Sequence, residues 1–263
     1  EKLVLMSAAY HKNVICQKPM SDTLESCVKM VEACKNAGVL FAVHENFRYQ
    51  PPTIMFKQAL DSGLAGKILN ARIVMRSPDE AIMSKQPVLT VMPHMVLRDM
   101  GPHIFDVARY FFGEAESLYA LPIFSYPQYK VPDAALCTLK MENNTALHCD
   151  LLHTWNDRFV AEGENGVIRL DFDNILHIDC CDVKRRIDTK TWSVLDYIPK
   201  FDWDLHGGHI FSSIPACLGD LINAFENNIS APTCGEDNLK TMRLVFAAIE
   251  SCDTGNVVKV EDN

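Results

Sequence analysis

Asn13-Val14-Ile15-Cys16-Gln17-Lys18-Pro19 reads as a short buried strand that ends in a lysine and a proline. The apolar run is too short for a helix and is bounded by polar residues on both sides. In doubly wound α/β proteins, ligands bind in the crevice outside the carboxyl ends of the strands. A lysine at that end, with its stem packed and its ammonium in the crevice, can hold a substrate oxygen. Working outward, residues 2–11 are apolar and helix-compatible. Asp22 and Glu25 have capping-box spacing, and Leu24, Cys27, Val28, Val31 and Cys34 then recur at helical spacing up to a stop at Gly38. Val39 to Val43 is a second buried strand. This helix–strand–helix–strand order is the grammar of a parallel α/β sheet.

Two strands are few, because a dinucleotide-binding domain has about six. No G-x-G-x-x-G occurs anywhere in the chain. Residues 1–50 are therefore expected to be the closing part of a Rossmann domain without its phosphate-binding start. The grammar changes after that. Pro51-Pro52 opens a helix to about Asp61, closed by Gly63. Leu69, Ala71, Ile73 and Met75 alternate with Asn70, Arg72, Val74 and Arg76, as in a half-buried strand. Residues 77–97 read as irregular and 99–112 as a helix stopped by Gly113. From Ser117 to about Leu195, strand-like runs are separated by turns such as Glu142-Asn143-Asn144 and Glu164-Asn165-Gly166. Helices over 211–226 and 236–251 and a strand from Val257 to Val260 finish the chain. The expected fold is an α/β remnant of a Rossmann domain followed, over 51–263, by an α+β domain with a large, mostly antiparallel open sheet.

Composition narrows the function. The 263 residues are 48% hydrophobic and 22% charged, which is ordinary for a globular protein. A net charge of −9 and a pI near 5.4 argue against a nucleic-acid or anionic-membrane partner. Lys184-Arg185-Arg186 is the densest basic cluster and reads as a solvated turn. The ten cysteines are scattered through core-like segments with no C-x-x-C, as expected of a reducing, cytoplasmic compartment. No apolar run approaches the about twenty residues needed to span a bilayer.

Asp99, His103 and Asp106 fall at i, i+4 and i+7 and would share one helix face. An imidazole between carboxylates is a candidate general base. The same residues also suit a satisfied core histidine and an Asp106–Arg109 surface pair. Arg48 and Tyr49 directly follow the second strand and would border the crevice of Lys18 as substrate-binding groups. His94 precedes Asp99 and could line the same pocket. His206 and His209 form an H-x-x-H without a third nearby ligand, so no metal is expected. Trp155 and Trp203 could wall a sugar site or simply pack.

Taken in order, Lys18-Pro19, Asn46-Phe47-Arg48-Tyr49-Gln50-Pro51, Asp99-Met100-Gly101-Pro102-His103-Ile104-Phe105-Asp106, the Gly163-Glu164-Asn165-Gly166 turn and Gly235-Glu236-Asp237 resemble the glucose–fructose oxidoreductase / inositol dehydrogenase family, often written Gfo/Idh/MocA. The resemblance runs over essentially the whole chain. It implies an NAD- or NADP-binding Rossmann domain and a C-terminal α/β domain whose open sheet forms a homo-oligomer interface. It also implies oxidation or reduction of a hydroxyl or carbonyl on a sugar, polyol or similar small molecule. Lys18 matches the family's active-site lysine, Asp99 its acidic partner and His103 its proton-transferring histidine. Asp99 would orient the imidazole or the substrate hydroxyl. Lys18 and Pro19 would sit against the cofactor. Members often have a glutamate where this chain has Gln17. The family's glycine-rich loop matches nothing in this sequence, so cofactor binding by the chain as given is expected to be weak. The alternative is a non-catalytic ligand-binding or oligomerisation scaffold derived from that family.

Overall fold

The structure is a computed structural model that describes residues 1–77, 83, 85–153, 157–181, 183–188 and 209–260, with backbone only at 209–212. Trp155, Trp203 and the side chains of His206 and His209 lie outside the described residues.

The N-terminal part is α1 (Lys2–Ala9), β1 (Val14–Gln17), α2 (Leu24–Ala37) and β2 (Phe41–His44), with β1 and β2 paired in parallel. A parallel pair needs a crossover, and α2 supplies it. Cys27, Met30, Val31 and Cys34 form its buried stripe. The cap of α2 is Thr23 and not Asp22: Thr23 is extended, and its Oγ1 accepts the Ser26 N–H at 3.2 Å. Gly38 ends the helix in the left-handed region at φ 65°, where a side chain is disfavoured. Both strands therefore point their carboxyl ends the same way, and Lys18 follows β1 there, joined to Pro19 by a cis peptide bond.

A 3₁₀ turn (Phe47–Tyr49) leads into α3 (Pro51–Asp61) and β3 (Ile68–Arg76). In β3, Ala71, Ile73 and Met75 are buried as expected, but Leu69, expected inward, is half exposed, and Val74, expected outward, is buried as well. The stretch read as irregular contains a 3₁₀ turn at Pro87–Thr90 and the short helix α4 (Met95–Asp99), followed by α5 (Gly101–Phe112). Seven strands follow: β4 (Ala115–Ile123), β5 (Ala134–Met141), β6 (Ala146–Leu152), β7 (Arg158–Gly163), β8 (Gly166–Leu170), β9 (Ile175–Cys180) and β10 (Val183–Asp188). Then come α6 (His209–Glu226), α7 (Gly235–Thr254) and β11 (Val258–Lys259). Among the described residues these strands build one nine-stranded sheet in the order β10-β9-β8-β7-β3-β6-β5-β4-β11. Only β3 and β6 pair in parallel; the other pairs are antiparallel.

Helices α3, α5 and α7 pack on one face of the sheet. That face presents Ala71, Ile73, Met75, Cys137, Leu139, Cys149, Leu151, Phe159, Ala161 and Ile168, all buried. Phe56 from α3 meets Phe111 at 4.9 Å and Phe159 at 5.5 Å, in the tilted and edge-on arrangements that aromatic rings favour. The opposite face is a mosaic. Its central row, followed through the strand registers, is Tyr119, Thr138, His148, Arg72, Val160, Arg169, His177 and Arg186. Lys184-Arg185-Arg186 lies on the edge strand β10 and not in a turn. Exposed charge on an edge discourages further pairing.

The two parts of the chain share one core, which contains Phe41, Val43 and Phe47 together with Phe105 and Leu244. Val43 also donates its N–H to Thr233 O at 2.8 Å, and Ala42 bridges Cys234, so the segment before α7 closes over the free edge of β2. All ten cysteines are free thiols. Among the described residues no helix is long and apolar enough to cross a membrane.

The β7–β8 turn needs its glycine. Gly166 has φ 149°, and a Cβ there would lie 2.3 Å from Asp179 O and 2.5 Å from Cys180 Cα, both backbone atoms. Gly166→Ala is expected to destabilise the fold by about 3 kcal/mol or more, through strain added to that clash. Urea unfolding followed by circular dichroism measures it, and an unchanged midpoint would show that the turn tolerates a side chain.

Candidate active site

The expected single helix over 99–112 is broken. Pro102 has no N–H and cannot bond back to Arg98 O, so α4 ends at Asp99, Met100 is a joint, and α5 starts at Gly101. Asp99, His103 and Asp106 consequently reach three different partners.

Asp99 reaches back to the end of β1. Lys18 Nζ donates to Asp99 Oδ1 at 2.9 Å and to the Asp99 backbone O at 2.8 Å. The lysine side chain is 18% exposed and the aspartate side chain 29%, so this ion pair is partly solvated rather than inside the core. Asp99 thus orients the lysine and not the imidazole.

His103 is buried, and its acidic neighbour is Glu45, which follows β2 directly. Nδ1 lies 2.5 Å from Glu45 Oε1, and the same oxygen accepts the Phe47 N–H at 3.3 Å. The Phe47 ring stacks on the imidazole with centroids 3.8 Å apart and planes 18° from parallel. Burial pushes the Glu45 carboxyl up. The charge and hydrogen bond of His103, the Phe47 N–H and the charge of Lys18 overcome it and hold Glu45 below the ordinary carboxylate value. Lys18 is therefore near enough to act on the Glu45–His103 pair, which ties the two halves of the site together.

Asp106 is fully buried and binds Arg48, not Arg109. Arg48 Nε donates to Asp106 Oδ2 at 2.8 Å and Nη2 to Oδ1 at 2.5 Å, a bidentate pair. Burial pushes the Asp106 carboxyl up to about 6, and the Arg48 guanidinium holds it down against that. Tyr49 is likewise committed: its OH donates to Asp220 Oδ2 at 2.6 Å on α6. Arg48 and Tyr49 both follow β2, as expected, but protein acids take their polar groups. They set the position of the turn that carries Phe47 and Glu45. His94 heads α4 with Nε2 3.2 Å from Asp253 Oδ1 on α7.

Arg109, expected on the surface with Asp106, is only 7% exposed. It donates to both Glu114 oxygens at 2.8 Å, to Asp237 Oδ1 and O at 2.9 Å and to Thr241 Oγ1 at 2.8 Å. It pins α5 to α7. Breaking a buried pair leaves uncompensated charge. Because Glu114 and Asp237 keep some exposure, Arg109→Ala is expected to cost about 2–4 kcal/mol, with turnover changed less than about twofold. Thermal melting and a steady-state assay separate the two effects; a large loss of rate with an unchanged melt would contradict a purely structural role.

Glu45 is the residue the sequence reading passed over. Its signal was present: a charged side chain placed immediately after a four-residue strand that is buried throughout. Among the described residues no group of three or more histidine, cysteine or acidic side chains could hold a metal ion.

The structure thus holds a lysine at a parallel strand's carboxyl end, bound by one acid, and a buried histidine bound by a second acid on which that lysine's charge acts. A lysine has the chemistry to polarise an oxygen, and an imidazole the chemistry to exchange a proton. Comparison with known proteins places the whole chain. Residues 54–169 match the GFO/IDH/MocA C-terminal domain, and residues 1–45 match the oxidoreductase family, NAD-binding Rossmann fold. The chain is 30% identical to the D-apiose dehydrogenase of Rhizobium rhizogenes over 98% of its own length and 75% of that protein's. It is also 30% identical to the D-apiose dehydrogenase of Paraburkholderia graminis, over 98% and 69%. Among solved structures, an oxidoreductase from Agrobacterium radiobacter in complex with NAD+, L-tartaric acid and magnesium superimposes with a TM-score of 0.88 at 30% identity, covering 98% of this chain and 76% of that one.

Proposed function

Because this chain belongs to the GFO/IDH/MocA oxidoreductase family, we propose that these residues serve hydride transfer between a nicotinamide cofactor and a hydroxyl or carbonyl of a sugar or polyol. The observation that carries the reading is the partly solvated pair of Lys18 and Asp99 together with the buried Glu45–His103 pair on which the lysine's charge acts. When bound, the nicotinamide supplies a hydride acceptor or donor. Lys18 and Pro19, at the carboxyl end of β1, are the residues present that fit its reactive end.

In the oxidation direction the substrate hydroxyl must lose its proton as the carbon loses hydride. His103 accepts that proton, and Glu45 offsets the positive charge left on the ring. The Lys18 ammonium, aimed by the two hydrogen bonds it donates to Asp99, stabilises the negative charge growing on the oxygen. In reduction the same groups act in reverse, with His103 protonating the new hydroxyl. The 30% identity to two D-apiose dehydrogenases makes a branched or simple aldose the first substrate to try. NAD(H) is the first cofactor to try.

The test is a panel of aldoses and polyols with NAD⁺ and NADP⁺, followed by absorbance of the reduced cofactor, together with a fluorescence titration of NADH. Sugar-dependent reduction that disappears in Lys18→Met supports the reading. Saturable sugar binding with no turnover, in protein that binds NADH, would favour the non-catalytic scaffold. Association through the sheet's outer face belongs to the same proposal. Tyr119 and Leu121 supply half-exposed apolar surface there, among charges that include the Arg72–Asp150 pair. Light scattering that reads a monomer at high micromolar concentration would remove that part.

A further inference from the structure

We infer that Glu45 is a positioning residue for His103: it fixes which ring nitrogen carries the resting proton, and so which one exchanges a proton with substrate. The inference rests on the oxidoreductase reading for its consequence in turnover, but not for the tautomer itself. Glu45 is 0% exposed and His103 4%. An ionised carboxylate can only accept hydrogen bonds, so a ring nitrogen 2.5 Å from Oε1 must be the protonated one. Nδ1 therefore holds the resting proton, and Nε2 is the nitrogen left free to take another. The Phe47 stack at 3.8 Å and 18° resists the ring flip that would exchange the two nitrogens.

The second carboxylate oxygen sharpens the argument. Among the described residues, the buried Glu45 Oε2 finds no hydrogen-bond partner. A carboxylate satisfied on one oxygen only gains most from a neighbour that becomes cationic, and His103 is the neighbour that can do so during the reaction. The other charged or titratable groups that face the pair come from three elements. Lys18, after β1, favours the charged carboxylate. Asp106, on α5, opposes it and is itself neutralised by Arg48. Cys217, on α6, donates its Sγ–H to Glu45 O at 3.5 Å, and burial pushes its thiol up, so it stays neutral. Among these described groups the imidazole is the one whose ring nitrogen is hydrogen-bonded to the Glu45 carboxylate.

The experiment uses the full chain labelled with ¹⁵N-histidine, with His103→Gln to identify the His103 signals. The wild type should show a single Nδ1–H tautomer for His103. In Glu45→Gln the amide offers an N–H and a C=O on equal terms, so the ring should show mixed tautomers or the Nε2–H form. Turnover should fall by about 10²- to 10⁴-fold, the scale of a wrongly held tautomer in a carboxylate–histidine pair, with the KM for sugar changed less than about threefold. Glu45→Asp should recover part of both signals, and it keeps the test alive if Glu45→Gln melts too low to measure. A single Nδ1–H tautomer retained in Glu45→Gln overturns the inference, as does a changed tautomer with wild-type turnover. If the tautomer responds but no sugar or polyol is turned over by the wild type, Glu45's hold on the ring stands and the proposed activity fails.

Discussion

His103→Ala lowers kcat by about two to four orders of magnitude, the usual worth of a general base in proton transfer. The imidazole is buried and its Nδ1 is held by Glu45, itself a buried acid. Removing it deletes the proton acceptor and also strands Glu45, 0% exposed, without its partner. An unpaired buried carboxylate costs about 3–5 kcal/mol, so part of any loss in His103→Ala could be loss of folded protein. His103→Gln, which leaves a polar partner for Glu45, serves as the control that folds. The measurement is kcat against pH with NAD(H) and the preferred sugar. kcat should stay low in both variants across the whole pH range. Wild-type turnover with the same pH profile in His103→Ala would place the base elsewhere.

Lys18→Met is expected to be comparably severe, about two to four orders of magnitude in kcat/KM. Methionine keeps most of the stem's volume and removes only the charge. Its partner Asp99 is 29% exposed, so water can solvate the carboxylate left behind and the fold should survive. The loss is therefore assignable to chemistry: no cation remains where oxyanion character develops. Asp99→Asn should be milder, because the amide oxygen and the Asp99 backbone O still accept from Lys18. The order Lys18→Met, then Asp99→Asn, with matched melting curves, checks the assignment. A Lys18→Met variant that loses only cofactor affinity, with kcat intact, would make the lysine a binding group and not an electrophilic clamp.

Much of this architecture is readable from local pattern. The helix of Leu24, Cys27, Val31 and Cys34, the stop at Gly38 and the Pro51-Pro52 helix start stand where spacing, glycine and proline put them; the first strand lies one residue later than read, at Val14–Gln17, and is only part-buried. These signals act within a few residues, through backbone sterics and the period of one element. The antiparallel character of the large sheet also follows from short alternating runs punctuated by turns. Lys18, Asp99 and His103 are legible in the sequence as candidates through the family resemblance, and their roles in catalysis are part of the proposed function. Thr23 in place of Asp22 as the α2 cap is the usual scale of error for a local reading, one residue at a boundary.

What the linear pattern could not supply is which charge meets which. Helical spacing put Asp106 with Arg109, three residues away; the fold gave Asp106 to Arg48, 58 residues away, and Arg109 to Asp237, 128 residues away. A buried ion must find a partner wherever packing brings one, and that choice is made by the whole core, not by one helix face. Pro102 decided the rest locally but with a tertiary result, since its missing N–H broke the helix and let Asp99 turn to Lys18 while His103 turned to Glu45. By itself the sequence determined the elements, their order and the residue types able to move a proton and hold an oxyanion. Only the tertiary structure paired the acids with their bases, because long-range electrostatic contacts are set by burial and distance in space, which residue spacing does not encode.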